Sequence, residues 1–273
     1  MGKAKKAKAR EKRNKRAAGF SVPDDDSTEI HIDNKIVNKQ EIMAGLNSPD
    51  LATREGAAAM ISSIFGNASQ GIDSAKALGY SKLVKGGVTK RLIKCLFDEA
   101  ITVRELAAST VRNMCASGQS LVLKQLISDD ILTPLLKHLE DLITKPTIAG
   151  QEKYKQSMIA QILESLTYLL DFSEPTVCRF TQRSGPVFVL NLLHPPHQDM
   201  DTLALAVQVL YIASDSNIAF AETLHGIEGA VNLISQAAQS EALPLIVRLY
   251  AVGVALNLGP GEGGDPAAAR AAA

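Results

Sequence analysis

Residues 51–60 read Leu-Ala-Thr-Arg-Glu-Gly-Ala-Ala-Ala-Met, and residues 101–110 read Ile-Thr-Val-Arg-Glu-Leu-Ala-Ala-Ser-Thr. The two stretches share an Arg-Glu pair and an Ala-Ala pair at an offset of 50 residues. Each follows a shorter apolar segment and a polar turn, which is typical of two helices in succession. Because one helix pair cannot bury its own apolar stripe, a recurring pair predicts a protein built by stacking repeats.

Weaker copies of this unit continue along the chain. The second helices end in similar apolar phrases: Ile61–Phe65, Val111–Cys115, Leu166–Leu170, Val209–Ala213 and Val254–Leu258. Their spacing of 43 to 55 residues lies in or near the range of about 40 to 47 that is typical of HEAT and armadillo repeats. We therefore predict an all-α, HEAT/armadillo-type right-handed superhelical solenoid of about five helical repeats, each a helix pair.

Composition changes mark three regions. Residues 1–37 are a basic segment followed by an acidic linker around Asp24–Asp26, and we expect them to be disordered. Residues 29–37 alternate in polarity but are short and polar, so we include them in this arm. Residues 38–258 form the predicted solenoid, with an extra helix near Ser74–Leu83. Residues 259–273 are a Gly/Pro/Ala-rich, low-complexity tail.

The charge of the chain is divided unevenly. Its formal net charge is zero, with 29 basic and 29 acidic residues, but residues 1–16 hold nine basic residues and one acid. The remainder therefore has 20 basic and 28 acidic residues. The nine basic residues are Lys3, Lys5, Lys6, Lys8, Arg10, Lys12, Arg13, Lys15 and Arg16. Such a block favours a nuclear import signal, with RNA contact and a solubilising tail as the alternatives.

The remaining motifs favour a binding protein over an enzyme. The three cysteines, Cys95, Cys115 and Cys178, have no zinc or disulfide spacing and are read as reduced, buried thiols. His194 and His197 flank a Pro-Pro turn without an argued partner, so we predict no metal site. No nucleophile, acid–base pair or phosphate loop can be assembled, and no apolar run reaches the roughly 20 residues of a membrane span. We predict no cofactor and no catalytic residue.

Two asparagines are the candidate partner-groove residues. Asn113 and Asn257 occupy the second-helix position where armadillo repeats often present an amide to an extended peptide, because an amide both donates and accepts hydrogen bonds. The corresponding positions elsewhere, Ser63, Tyr168 and Tyr211, interrupt this ladder, and the chain has no Trp. A separate group, Arg54, Arg104 and Arg248, lies near second-helix starts and is predicted to bridge neighbouring repeats.

Several longer phrases resemble one family. These are LNSPDLATREGAAAMISSIF (46–65), ITVRELAASTVRNMCASG (101–118), ILTPLLKHLEDL (131–142) and LYAVGVALNLG (249–259). Together with the basic Met-Gly-Lys start, they are similar to the symportin family of HEAT repeat proteins. The resemblance spans about residues 1–258 and is strongest from 46 to 143, whereas family members are much longer.

The resemblance implies an adaptor that accompanies newly made, 5S-associated large-subunit ribosomal proteins into the nucleus for ribosome assembly. It also implies a transportin-type karyopherin as the import partner and shuttling between cytoplasm and nucleus. The chain contains no Pro-Tyr dipeptide, so the arm predicts a plain basic signal. We expect a monomer that contacts nucleic acid, if at all, through the arm, and no membrane. The alternatives are a general HEAT-repeat scaffold or regulatory subunit, and RNA binding through the arm.

Overall fold

The structure, a computed structural model, describes residues 29–32, 35–66, 74–194 and 199–259. These residues form fourteen helices and one small hairpin, which confirms the all-α prediction. They divide into two compact units, unit 1 ending at Asp129 and unit 2 beginning at Asp130. The basic residues between Lys3 and Arg16 and the tail from 260 onward lie outside the described residues.

Unit 1 contains the hairpin and the first six helices. The strands are β1 (Glu29–Ile32) and β2 (Lys35–Asn38). The helices are α1 (Lys39–Gly45), α2 (Leu51–Gly66), α3 (Ser74–Lys85), α4 (Val88–Cys95), α5 (Ile101–Ala116) and α6 (Ser120–Ser128). The two long helices, α2 and α5, pack directly against each other, which is how neighbouring repeats share a core.

The described residues of unit 2 form eight helices. They are α7 (Leu132–Thr144), α8 (Glu152–Phe172), α9 (Glu174–Gln182), α10 (Gly185–Asn191), α11 (Met200–Ser216), α12 (Ile218–Gly226), α13 (Ala230–Gln239) and α14 (Leu245–Leu258). The long helix α11 packs between α8 and α14, its two long neighbours. Its buried face includes Ala206, Leu210 and Ala213, each fully excluded from solvent. The predicted stacking of long helices is thus present within each unit.

The number of helices per repeat differs from the prediction. From Ser74 onward the helices follow one another as two shorter helices and then a longer one, so the unit is a triplet and not a pair. The extra helix near Ser74–Leu83 is confirmed as α3, and α6, α9 and α12 are its counterparts. Two of these short helices, α9 and α12, follow the preceding long helix directly. Ser173 is both the C-cap of α8 and the N-cap of α9, and Asn217 is both the C-cap of α11 and the N-cap of α12. The short helices α6, α9 and α12 have nine residues each, too few for a helical period to be recognised in the sequence.

The segment before the solenoid also differs from the prediction. Residues 29–38 were expected to belong to the disordered arm and the solenoid start, but β1 and β2 pair antiparallel with Glu29 opposite Asn38. Ile30 is 1% exposed, and β1 packs on α3. An isolated hairpin is only marginally stable in water. Packing on α3 stabilises this hairpin, because it buries apolar surface that the short, polar segment could not bury by itself.

Polar residues cap two of the long helices, α2 and α11. Asp50 Oδ2 accepts hydrogen bonds from the backbone N–H of Thr53 at 2.8 Å and from its hydroxyl at 2.6 Å, at the start of α2. Asp199 is the N-cap of α11 and accepts from the N–H groups of Asp201 and Thr202. Both carboxylates satisfy backbone donors that the first helical turn leaves without partners.

Candidate protein-binding surface

Arg54 links the first two repeats, those of the long helices α2 and α5, through hydrogen bonds. Arg54 lies on α2 and is 8% exposed, and its Nη1 donates to the carbonyls of Ser48 and Pro49, in the turn before α2, at 3.0 and 2.9 Å. It also donates Nε to Asp98 Oδ2 at 2.9 Å and Nη2 to Asp98 Oδ1 at 3.2 Å. The hydrogen bonds from Arg54 to Asp98 raise the pKa of the guanidinium above its ordinary value. The predicted structural bridge is confirmed for this residue.

The other two arginines do not repeat this joint. Arg104 Nη1 donates to the Asp98 carbonyl at 3.0 Å, which is the turn of its own repeat. The hydrogen bond from Arg104 to Asp98 is equivalent to the one from Arg54 to Ser48, because in both the arginine donates to the carbonyl six residues earlier. Arg248 has a buried Nε that makes no hydrogen bond within the described part of the chain. Within the described residues, Arg54 therefore bridges two repeats and its two counterparts do not.

Both candidate groove asparagines contact the preceding long helix. Asn113 Nδ2, on α5, donates to the Ser62 carbonyl of α2 at 3.3 Å, and Arg112 Nη1 donates to Asn113 Oδ1 at 3.0 Å. Asn257 Nδ2, on α14, donates to Ser214 Oγ of α11 at 3.1 Å. Both side chains are half-buried. Each amide thus forms a hydrogen bond between two neighbouring repeats, and part of its surface remains accessible to solvent.

Tyrosines occupy the asparagine position on two long helices of unit 2, α8 and α11. Tyr168 on α8 is 39% exposed, while Tyr211 on α11 and Tyr250 on α14 are half-buried. The rings of Tyr211 and Tyr250 lie 5.5 Å apart between centroids, tilted by 34°. Gly253 makes this contact possible, because a Cβ there would lie 2.6 Å from Cε2 of Tyr211. The sequence indicated Tyr168 and Tyr211 only as interruptions of the asparagine ladder.

Carboxylates accompany these tyrosines. Glu164, Tyr168 and Asp171 recur at four- and three-residue steps along α8, and Tyr211 and Asp215 are four apart on α11, so each set shares one helix face. Asp171 is exposed, and Glu164 and Asp215 are half-buried. Residues 156–172 and 200–216 contain four acids and no Lys or Arg. We call the set Glu164, Tyr168, Asp171, Tyr211 and Asp215 the tyrosine–acid face.

The thiols differ in exposure from one another. Cys95 and Cys115 are buried as predicted, whereas Cys178 on α9 is exposed, so the prediction of three buried thiols was wrong for Cys178. Burial, followed by the charge of Asp98, raises the pKa of the Cys95 thiol to about 11. A short helix such as α9 buries only a narrow face, which here includes Val177 and Phe180. Cys178 lies between these two residues in the sequence but on the solvent-exposed side of the helix.

Metal and membrane chemistry find no support in the described ranges. Among those residues, no group of three or more His, Cys, Asp or Glu is placed to hold a metal ion. His194 is exposed, and His197 falls in the gap between 194 and 199. The helices described are too short or too polar to cross a bilayer.

Comparison with solved structures defines the fold. A computationally designed armadillo repeat protein for modular peptide recognition is similar, with a TM-score of 0.68, 20% identity, and coverage of 86% of this chain and 89% of that one. A designed armadillo repeat protein in complex with the peptide (KR)4 has a TM-score of 0.67, 20% identity and the same coverages. The chain thus has an armadillo-repeat fold.

Sequence comparisons add no closer assignment. No family model matches the chain. No curated protein matches it either.

Proposed function

We propose that this protein is a binding adaptor and that the tyrosine–acid face receives a basic segment of its partner. The observation that carries the proposal is the composition of α8 and α11, which pack side by side and present carboxylates and tyrosines without a basic residue between 156 and 172 or between 200 and 216. Carboxylates accept hydrogen bonds from arginine and lysine, and tyrosine rings attract those cations over their faces.

The geometry suits an extended chain better than a small molecule. Adjacent long helices display equivalent positions at the repeat spacing, so successive side chains of an extended peptide can meet successive helices. The designed neighbour with a bound (KR)4 peptide has the same fold and a basic ligand. A field of carboxylates also raises the rate at which a basic partner associates.

We propose further that the partners are 5S-associated large-subunit ribosomal proteins, which the adaptor accompanies into the nucleus for ribosome assembly. Support comes from the resemblance of residues 46–143 to the symportin family and from the charge division between a basic arm and an acidic remainder. In this proposal the arm, Lys3–Arg16, engages a transportin-type karyopherin, and the protein shuttles between cytoplasm and nucleus. It acts as a monomer without a cofactor or catalytic activity.

Affinity purification of the full chain, with identification of partners by mass spectrometry, tests the ribosomal assignment. We expect 5S-associated ribosomal proteins with the wild type and a strong reduction with the variant Glu164→Gln/Asp171→Asn/Asp215→Asn. A matched control, Glu222→Gln/Glu228→Gln/Glu241→Gln, removes the same charge from exposed positions outside the face and should retain them. Recovery of other complexes with no ribosomal protein favours the alternative, a general scaffold or regulatory subunit.

Deletion of residues 1–16 tests the role of the arm. We expect the deleted protein to stay in the cytoplasm, because a karyopherin groove recognises the basic block. Nuclear entry at the wild-type rate contradicts this role. The nine basic residues also favour RNA contact as a second function, which would appear as RNA binding that weakens steeply with salt and disappears on deletion.

A further inference from the structure

We infer that a cleft between α3 and α6 binds a phosphoryl group. The cleft lies wholly within unit 1 and has a volume of about 260 Å³. Its polar lining comes from Ser81 and Lys85 on α3 and from Lys124, Gln125 and Ser128 on α6. Val84 and Leu121 complete the walls, and no carboxylate is among the lining residues. It is separate from the tyrosine–acid face, which belongs to unit 2.

Ser81 is a buried hydroxyl-bearing residue in the lining of the cleft. Ser81 is 3% exposed, and its Oγ makes no hydrogen bond with any residue that the structure describes. A helical serine commonly donates to the carbonyl four residues earlier, as Ser165 does to Gln161 at 2.7 Å. Ser81 lacks this bond and lines the cleft instead. A buried donor of this kind is satisfied when a ligand oxygen enters.

Two lysines supply the charge. Lys85 and Lys124 stand on opposite walls and both are exposed, so their ammonium groups can turn toward a ligand. A phosphate monoester carries about −1.5 to −2 charges at pH 7 and has three acceptor oxygens, which match two ammonium groups and a hydroxyl. A carboxylate carries a single negative charge and two oxygens. Gln125 and Ser128 add further donors on the α6 wall.

The size and apolar walls favour a phosphorylated side chain over free phosphate. Inorganic phosphate fills only part of a space of about 260 Å³. A phosphoserine adds its Cβ and neighbouring backbone, which can contact Val84 and Leu121. The proposed ligand is therefore a phosphoryl group carried by a peptide, and its docking is independent of whether unit 2 binds a basic partner.

Isothermal titration of the full chain tests the cleft. The probes are the peptide Ala-Ala-pSer-Ala-Ala, its unphosphorylated form and inorganic phosphate. We expect the phosphopeptide to bind, inorganic phosphate to bind at least fivefold more weakly, and the unphosphorylated peptide not to bind. The variant Lys85→Gln/Lys124→Gln should weaken phosphopeptide binding by about tenfold or more, which is the effect of losing two charge-assisted contacts.

Two controls separate a site from general attraction and from misfolding. Lys90→Gln/Lys94→Gln removes two exposed lysines of α4 and should leave phosphopeptide affinity unchanged. Ser81→Ala should weaken binding about fivefold without lowering the thermal midpoint, because it removes an unbonded hydroxyl. Absence of phosphopeptide binding, equal losses in the two lysine variants, or equal binding of the unphosphorylated peptide would each overturn the inference. Equal affinity for inorganic phosphate would overturn the peptide as the carrier.

Discussion

Arg54 of α2 holds both carboxylate oxygens of Asp98, 44 residues further along the chain, through Nε at 2.9 Å and Nη2 at 3.2 Å. The same guanidinium also donates hydrogen bonds to the carbonyls of Ser48 and Pro49, in the turn before α2. One side chain thus fixes the turn before α2 to the turn before α5. The planar fork of arginine suits this arrangement, since it presents donors in fixed directions.

We predict that Arg54→Lys lowers the thermal midpoint of the full chain, because an ammonium group cannot replace the fork. The matched control is Arg183→Lys. Arg183 meets Asp130 through a single contact of 3.4 Å, and both side chains are more than 40% exposed. Exposed pairs of this kind contribute little. Circular dichroism at 222 nm during heating measures both variants, and equal midpoints for the two would contradict the role of Arg54.

Gly253 is predicted to be intolerant of a methyl group. In Gly253→Ala the new Cβ would lie 2.6 Å from the Tyr211 ring, which must move away from Tyr250. We expect a loss of about 1–3 kcal/mol in the free energy of unfolding, as for other overpacked sites. Gly56→Ala is the control: its Cβ meets nothing within 4 Å in the middle of α2, so it should stabilise by about 0.5–1 kcal/mol. Urea unfolding distinguishes the two, and a neutral Gly253→Ala would contradict the ring contact.

The thiols should react in a fixed order. Cys178 is exposed, whereas Cys95 and Cys115 are buried. With a pKa of about 11, Cys95 has about one thiolate in a thousand molecules at pH 8. We therefore expect a disulfide reagent to modify one thiol per native chain at pH 8 and three in guanidinium chloride. Rapid modification of Cys95 in the native protein contradicts its burial, and Cys178→Ser should remove the fast phase.

The helix caps predict a loss of stability in acid. The Thr202 hydroxyl and backbone lower the pKa of Asp199, and the Thr53 hydroxyl and backbone lower that of Asp50, both from an ordinary 3.8. A lowered folded-state pKa means that the stabilisation is complete above about 3.8 and is lost as the pH falls through the folded-state values.

The variant Asp199→Asn isolates this titration, because asparagine also caps helices but carries no charge. We expect its stability to fall less than that of the wild type between pH 5 and pH 3. Asp199→Ala, which has no cap at all, should cost about 1 kcal/mol at pH 7. Urea midpoints across this pH range measure both effects, and parallel pH profiles for wild type and Asp199→Asn would contradict the assignment.

The sequence predicted the helices correctly where two repeats have matching residues at corresponding positions. Arg54 and Arg104 predicted that α2 and α5 are corresponding helices, since the two arginines recur at the repeat spacing. The short helices α6, α9 and α12 were missed because nine residues are too few to display a clear helical period. The hairpin was missed because Ile30 is buried by α3, more than 40 residues away.

The candidate face was only partly visible in the sequence. Tyr168 and Tyr211 could be aligned with Asn113, but their position beside Glu164 and Asp215 depends on α8 and α11 packing side by side. The hydrogen bonds of Asn113 and Asn257 likewise depend on packing between long helices, of α5 on α2 and of α14 on α11. The cleft at Ser81 could not be predicted, since α3 and α6 are separated by two other helices.

Direct titration of a labelled basic octapeptide with the full chain tests the central claim, that the tyrosine–acid face binds a basic segment. Fluorescence anisotropy should show saturable binding by the wild type. It should weaken about tenfold in Glu164→Gln/Asp171→Asn/Asp215→Asn, since each partly exposed charge contact contributes about 0.5 kcal/mol. The control Glu222→Gln/Glu228→Gln/Glu241→Gln should keep the wild-type affinity. Equal affinity in all three proteins, or no binding by the wild type, would contradict the account.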